Sequence, residues 1–380
     1  MSAKMATILI IALGGGPLPT ETDIPTPKLK KKIARAPGVA VIDLEDPRRT
    51  IPAQQSEDGE RLRFILPQTD GARKSGYILT PHPAFEPAFS FEEADDTYLR
   101  LTEGDEPVLT YNFGDLLPEG VPEDRRRSSY IHPLFGLDGE AITGDFPKDH
   151  YHHRGVFLTW PHVTVGGEHY DPWAVSGMWT RFEEWLGRET GPVFASFGVQ
   201  NGWYAGEKRV MDEKVRYTVW LAGETGRAID VNITLEATEE PVTLLGATGK
   251  GYGGFCLRVP VVESKTVTKP DGTVVQSTNE ERIPWADISA KMSGGEAMSG
   301  ASIFIDSDNI GFPNGWCLRE YGFLGVDWPG LEEYTLQPGE PVEMNYRVWV
   351  HRGDVTEGKS AEAYANFAEP VEVTASKPRN

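Results

Sequence analysis

The chain of 380 residues carries 41 Gly and 29 Pro with 39% hydrophobic and 25% charged residues, the composition of a globular protein and not of a collagen-like or disordered one. Thirty-seven Lys and Arg against 57 Asp and Glu leave a formal net charge of −20, so a nucleic-acid partner, which needs a basic face, is not expected; neutral or weakly charged ligands are favoured. No stretch approaches the ~20 apolar residues of a helical membrane span, and an integral membrane protein is not expected either.

At the N-terminus Lys4 precedes an apolar run from Ala6 to Leu13, and Ala12-Leu13-Gly14 has a small-x-small form. Residues 1–38 therefore read as a signal segment and linker, with an ordinary N-terminal strand as the equal alternative. Export would place the protein in the periplasm or outside the cell; without it the location is cytoplasmic. Gly14 to about Pro37, with the basic cluster Lys28-Leu29-Lys30-Lys31-Lys32, reads as a loosely held lead-in.

From residue 39 to 380 the pattern predicts a single β-sandwich domain. Short β-type segments recur at 39–44, 62–66, 98–101, 108–113, 156–160, 193–199, 216–221, 228–235, 255–262, 301–305 and 345–350. Val215-Arg216-Tyr217-Thr218-Val219-Trp220 alternates cleanly, as a sheet with one buried and one wetter face requires. Helical spacing is scarce: Ser360 to Ala368 is the best candidate and 180–187 a weaker one. There is no Gly-rich phosphate loop and no βαβ unit. The fold class expected is all-β, a large antiparallel β-sandwich with few short helices, with ten Trp and thirteen Tyr filling its core or lining a groove. Cys256 and Cys317 fit no zinc or thioredoxin spacing, and a disulfide between them stays open.

Chemistry concentrates in Asp145-Phe146-Pro147-Lys148-Asp149-His150-Tyr151-His152-His153-Arg154. In an extended strand His150 and His152 share one face, a geometry that suits a divalent metal or proton transfer. A metal on His150 and His152 needs about three protein ligands, the third coming from Asp145, His162, His169 or His351. Gly144-x5-His150-x-His152 matches the opening of the cupin motif, but the Glu that follows in cupins is missing here. Arg154 is placed to fork onto a carboxylate or an oxyanion. Trp160 and Trp173 offer flat faces to sugar rings. Arg319 and Tyr321 form a second polar cluster, and His351 a third with Arg347 and Trp349. The expected catalytic set is His150, His152, Arg154 and Tyr321, and the expected substrate contacts are Trp160, His162, His169, Trp173, Arg319 and His351.

The run from Tyr130 to Gly139, then Asp149-His150-Tyr151-His152-His153-Arg154-Gly155, Gly251-Tyr252-Gly253-Gly254-Phe255, the segment from Trp316 to Gly325 and the closing Tyr346 to Asp354 resemble a soluble family labelled PmoA-like, or methane oxygenase PmoA, over about Tyr98 to Phe367. Two departures stand out: Tyr151 where that family has Pro, and Gly311-Phe312-Pro313-Asn314-Gly315 where it is rich in His and Pro. The methane oxidation implied by the label is set aside, because the membrane subunit of that name needs several transmembrane helices. The resemblance implies a periplasmic or secreted sandwich of the galactose-mutarotase type, associated with carbohydrate utilisation. The function expected is a carbohydrate-active enzyme that acts on a glycoside or oligosaccharide by elimination or hydrolysis. The alternatives are a mutarotase-like sugar isomerase and a non-catalytic glycan-binding module.

Overall fold

In a computed structural model, residues 8–13, 18–25, 33, 35–68, 74–94, 96–292 and 295–376 are described; the basic cluster at 28–32 lies outside them. Where apolar and polar residues alternate, the chain forms strands that bury one face and wet the other. Val215, Tyr217 and Val219 on Lys208–Trp220 enter the same core as Ile229, Val231, Ile233 and Leu235 on Gly226–Ala237. The two strands pair antiparallel with Val215 opposite Ile233. With Met178–Thr190, Phe194–Ala205 and Val342–Arg352 they build the long half of a nine-stranded sheet.

A second nine-stranded sheet holds Tyr130–Leu134, Val156–Thr159, Gly254–Arg258, Phe323–Asp327 and Gly315–Arg319 side by side. Its Phe255, Leu257, Leu324, Val326, Trp316 and Leu318 join the first sheet in one continuous core, so the two sheets form the antiparallel β-sandwich expected from the sequence. A four-stranded sheet with His162–Val165 and Glu168–Tyr170 adds Val163 and Val165 to that core.

The described residues of the N-terminal third form strands too. Ile8–Leu13, the run weighed as signal segment or strand, is a strand paired with Lys74–His82 on one side and Glu372–Ser376 on the other. These belong to a seven-stranded sheet with Thr20–Pro25, Gly38–Asp43, Thr50–Gln55 and Arg61–Leu66, which has its own core of Ile10, Val41, Phe64, Tyr77 and Leu79. The division expected at residue 38 falls at the first residue of Gly38–Asp43, a strand of this sheet. Leu18 packs with Phe194, Trp220 and Trp349 of the sandwich, and Gln54 Oε1 accepts from the N–H groups of Val193 and Phe194 at 3.1 Å each.

Ser360–Ala368 is the helix expected. Residues 180–187 are not helical: they lie within Met178–Thr190, paired along its length with Phe194–Ala205. Register shifts between Phe182 and Glu184 and between Trp185 and Arg188 break the two-residue alternation. The bulges put Phe182 and Trp185 three apart against one core, which imitates helical spacing.

Candidate functional site

The second face of the Tyr130-to-Arg319 sheet points away from the sandwich core. Because side chains alternate along a strand, Cys256 and Arg258, Phe323, Gly325 and Asp327, and Cys317 and Arg319 emerge on it together. Register aligns them in rows: Arg258 beside Phe323 beside Arg319, Cys256 beside Gly325 beside Cys317, and Gly254 beside Asp327 beside Gly315. Gly325 separates the two cysteines, and both are free and buried, so the disulfide left open by the sequence is not formed.

The histidine segment folds over the Arg258 row as a turn and not as the strand on which the expected pairing of faces relied. The His150 N–H donates to Pro147 O and the His153 N–H to His150 O, each at 2.9 Å. The turn stacks His150 on His153 with ring centroids 4.7 Å apart, while His152 meets both edge-on at 5.6 and 4.7 Å. Tyr321 also stacks against His150 at 4.9 Å and lies 6.4 Å from His153, and Phe323 stacks on His153 at 4.8 Å. Trp173 leans on His152 and His153, with Tyr252 4.8 Å beyond it. The turn thus brings His150, His152, Tyr321 and Trp173 together.

Asp149 and Arg258 complete this end. Asp149 Oδ2 lies 3.0 Å from His150 Nδ1, off the line of a well-formed hydrogen bond, and the carboxylate accepts from Arg258 Nη2 at 2.9 and 3.2 Å. Arg258 is fully buried over the Tyr321 ring, and its Nε and Nη1 meet no acceptor. Burial works to raise the Asp149 carboxyl, but His150 and Arg258 outweigh it and hold it below the usual carboxylate range. Burial, with His150 and three nearby arginines, drives His152 down to about 3 and carries His153 far down as well, so both rings are neutral at neutral pH. Burial, reinforced by Cys317, pushes the Tyr321 hydroxyl up to about 12, so it keeps its proton. In the sequence Arg258 stands out only as one charged residue at an alternate position of an apolar strand.

Arg154 has a different task from the one expected. It is fully buried beneath the turn, where Nη1 donates to Tyr151 O at 2.7 Å and His153 O at 2.8 Å and Nη2 donates to Arg125 O. Its carboxylate neighbour is Asp145 at 3.7 Å, not Asp149, and its guanidinium lies 3.3 Å from the centroid of Phe146. Arg154 therefore fixes the turn and does not line an open site.

The remaining expected contacts lie apart from the stack. Trp160 is a core residue packed on Trp203, with Nε1 donating to Trp328 O. His162 Nδ1 and His169 Nε2 bond each other at 2.8 Å on the four-stranded sheet. His351 is fully buried and pairs with Asp287 at 2.7 Å in the opposite sheet. Arg319 shares the outer face, but its guanidinium is committed to Thr278 O, Leu318 O and Asn279. Among the described residues no group of three His, Cys, Asp or Glu is arranged to hold a metal ion, so the metal on His150 and His152 lacks its third ligand here.

At the far end of the face stands a feature the sequence did not single out. Four residues along Phe323–Asp327, about 13 Å from the Arg258 row, Asp327 is buried with both carboxyl oxygens lacking a hydrogen-bond donor of ordinary geometry. Burial, reinforced by the Glu280 carboxyl beside it, raises it well above the carboxylate range. Burial raises Glu280 as well.

The glycosyl hydrolase family 38 protein of Enterococcus faecalis shares the fold at a TM-score of 0.52 and 9% identity; the match covers 98% of this chain and 48% of that one. An α-mannosidase of Enterococcus faecalis V583 matches at 0.47 and 10%, covering 98% and 46%. This chain thus spans about half the length of either. A putative aldose 1-epimerase of Klebsiella pneumoniae matches at 0.30 and 10%, covering 92% and 96%. No curated protein matches the sequence. A family profile described as "Family of unknown function (DUF6807)" matches residues 98–366, nearly the span over which the sequence motifs run, and the chain belongs to that family.

Proposed function

We propose that the chain is a carbohydrate-active enzyme that breaks a glycosidic C–O bond by proton transfer at the His150 end of the outer face. The carrying observation is the placement of His150: about a third exposed, with Asp149 at its Nδ1 side and Tyr321 stacked on its ring. A carboxylate at Nδ1 favours the tautomer in which Nε2 is free to accept a proton. His150 takes that proton from the attacking water in hydrolysis, or from a ring carbon in elimination. In either case the leaving oxygen takes the proton that Tyr321 retains. Arg258 holds Asp149, and Trp173 with Tyr252 offers aromatic surface to a sugar ring. A saccharide substrate accords with a sandwich that also occurs in a glycosyl hydrolase family 38 protein.

The test is product release from a panel of oligosaccharides, with ultraviolet absorbance for a new double bond and reducing-end analysis for hydrolysis. His150→Ala should lower turnover ~10²–10⁴-fold with the fold intact by circular dichroism. If no member is converted while saccharides bind and binding survives His150→Ala, the protein is a glycan-binding module built on Trp173 and Tyr252.

A further inference from the structure

The carboxyl pair at the opposite end of the face plays no part in the chemistry just described. Glu280 reaches Asp327 through a fitted passage. A Cβ at Gly251 would collide with Glu280 Oε1, and one at Gly330 or Gly315 would come within 3.1 or 3.2 Å of the carboxyl. Glu280 itself holds a left-handed backbone, φ +57°, which an L residue adopts only when its surroundings enforce it. Beside Asp327, Gly254 and Gly315 occupy the neighbouring register positions, so no side chain fills the space on either flank.

The pair opens into a cavity of about 160 Å³ lined also by Asn314, Trp328 and Tyr334. Asn314 is a second unsatisfied group. It is 3% exposed, its Nδ2 donates to Ile310 O, and its Oδ1 meets no donor. Four buried acceptor atoms thus lack donors around one space: both oxygens of Asp327, Glu280 Oε1 and Asn314 Oδ1. Leaving them so costs free energy unless a ligand or water supplies hydroxyl or amine protons.

Charge narrows the choice. Neither acid forms an ion pair among the described residues, and the Arg282 guanidinium at the rim donates to Gly311 O and Pro313 O. Burial and the neighbouring Glu280 carboxyl leave Asp327 holding its proton, so the pair of carboxyls can both donate and accept. That suits hydroxyl groups, which do the same. Among the described residues no three acids, histidines or cysteines are arranged as a metal site. The space lies below the ~300–1,000 Å³ of pockets for drug-sized ligands and fits one small ring, with Trp328 and Tyr334, centroids 5.0 Å apart, as aromatic walls.

We propose that Asp327, Glu280 and Asn314 form a second subsite that binds adjacent hydroxyls of one uncharged monosaccharide unit. It rests on the reading of the protein as carbohydrate-active, and it places a sugar-recognition element about 13 Å along the face from the Arg258 row over which the histidine turn folds.

Isothermal titration of the full chain with D-glucose, D-galactose, D-mannose, an oligosaccharide panel, D-glucuronate and calcium chloride alone tests it. At least one neutral monosaccharide binds, more tightly than glucuronate, and Asp327→Asn and Glu280→Gln each weaken it ~10-fold or more. Thermal melting confirms the fold of each variant; Glu280 is only half-buried, so Glu280→Gln carries the test if Asp327→Asn fails to fold. Saccharide binding that both variants retain, or that is lost in His150→Ala instead, overturns the subsite and leaves the carbohydrate reading standing. Absence of binding by every saccharide overturns that reading and the subsite with it. Calcium binding that disappears in Asp327→Asn replaces the sugar with a cation and also overturns the subsite.

Discussion

Two arginines on neighbouring elements show how far a side chain's task depends on what surrounds it. Arg154 stands beside the histidines in sequence, and from sequence it looked like the group that meets substrate; in the fold its fork grips Tyr151 O and His153 O under the turn. Burial pulls it down only to about 10, so it remains a cation satisfied by carbonyl dipoles, with Asp145 at 3.7 Å. Arg154→Lys keeps the charge but cannot span the carbonyls, and it should cost about 2–4 kcal/mol of stability, seen as a lower urea midpoint. A parent-like midpoint would remove Arg154 as the clamp of the turn. Arg258 sits about a hundred residues further on and, among the described residues, donates only to Asp149. Arg258→Gln should let the Asp149 carboxyl rise toward the ordinary range, read by carbon-13 NMR titration, and should lower turnover more than it lowers stability. An unchanged Asp149 titration would detach Arg258 from the His150 end.

At the scale of elements, what the sequence made legible was alternation. The strands through Val215 to Val219 and Ile229 to Leu235 form as their patterns demand, because one face meets a core and the other does not. Legibility failed where geometry departs from a two-residue period. The bulges in Met178–Thr190 concealed a strand. The turn at 147–153 gathered His150, His152 and His153 through i to i+3 stacking that no strand would give. The acid pair was hidden for another reason: Asp327 and Glu280 lie 47 residues apart and meet only because Gly315–Arg319 and Phe323–Asp327 bring the segment around Gly315 and Gly330 against Glu280. The same sheet carries a prediction of its own. Gly325 lies between the two cysteines, and a Cβ there would come 2.8 Å from Cε1 of Phe323, the ring beneath His153. Gly325→Ala should cost about 1–3 kcal/mol through overpacking and tilt the imidazole stack, measured as a lower melting temperature with shifted His153 ring resonances. If both stay at parent values, Phe323 has room to move and does not set the stack.

For the whole molecule, the balance of buried protons matters more to acid stability than the net charge of −20. Burial, helped by Arg154, lowers His132 to about 4, and His152 and His153 are depressed as well. In the unfolded chain each would titrate near ~6.5. As pH falls below that value the unfolded state takes up protons that the folded state refuses, and stability is lost until pH reaches the folded value. Carboxyls oppose this. Burial raises Asp145 to about 6, and Glu213 and Asp327 also rise, so between their unfolded and folded values the folded state holds the extra proton and gains as pH falls. His351 acts in the same direction as these acids. Burial works against its charged form, but Asp287 outweighs it and raises the ring, so its contribution is full below ~6.5 and is lost as pH rises through its folded value. The parent's slope is the difference of the two sets, and a single substitution separates them. His132→Gln removes one refused proton, so the stability of the variant relative to the parent should improve by about 1.4 kcal/mol for each pH unit between roughly 6 and 4, whatever constant loss follows from the bond between His132 Nδ1 and Thr143 Oγ1. Urea unfolding at half-unit pH steps measures it. A difference that stays flat across that window would mean that His132 takes up its proton in the folded protein, and that the face beneath the histidine turn is wetter than its burial implies.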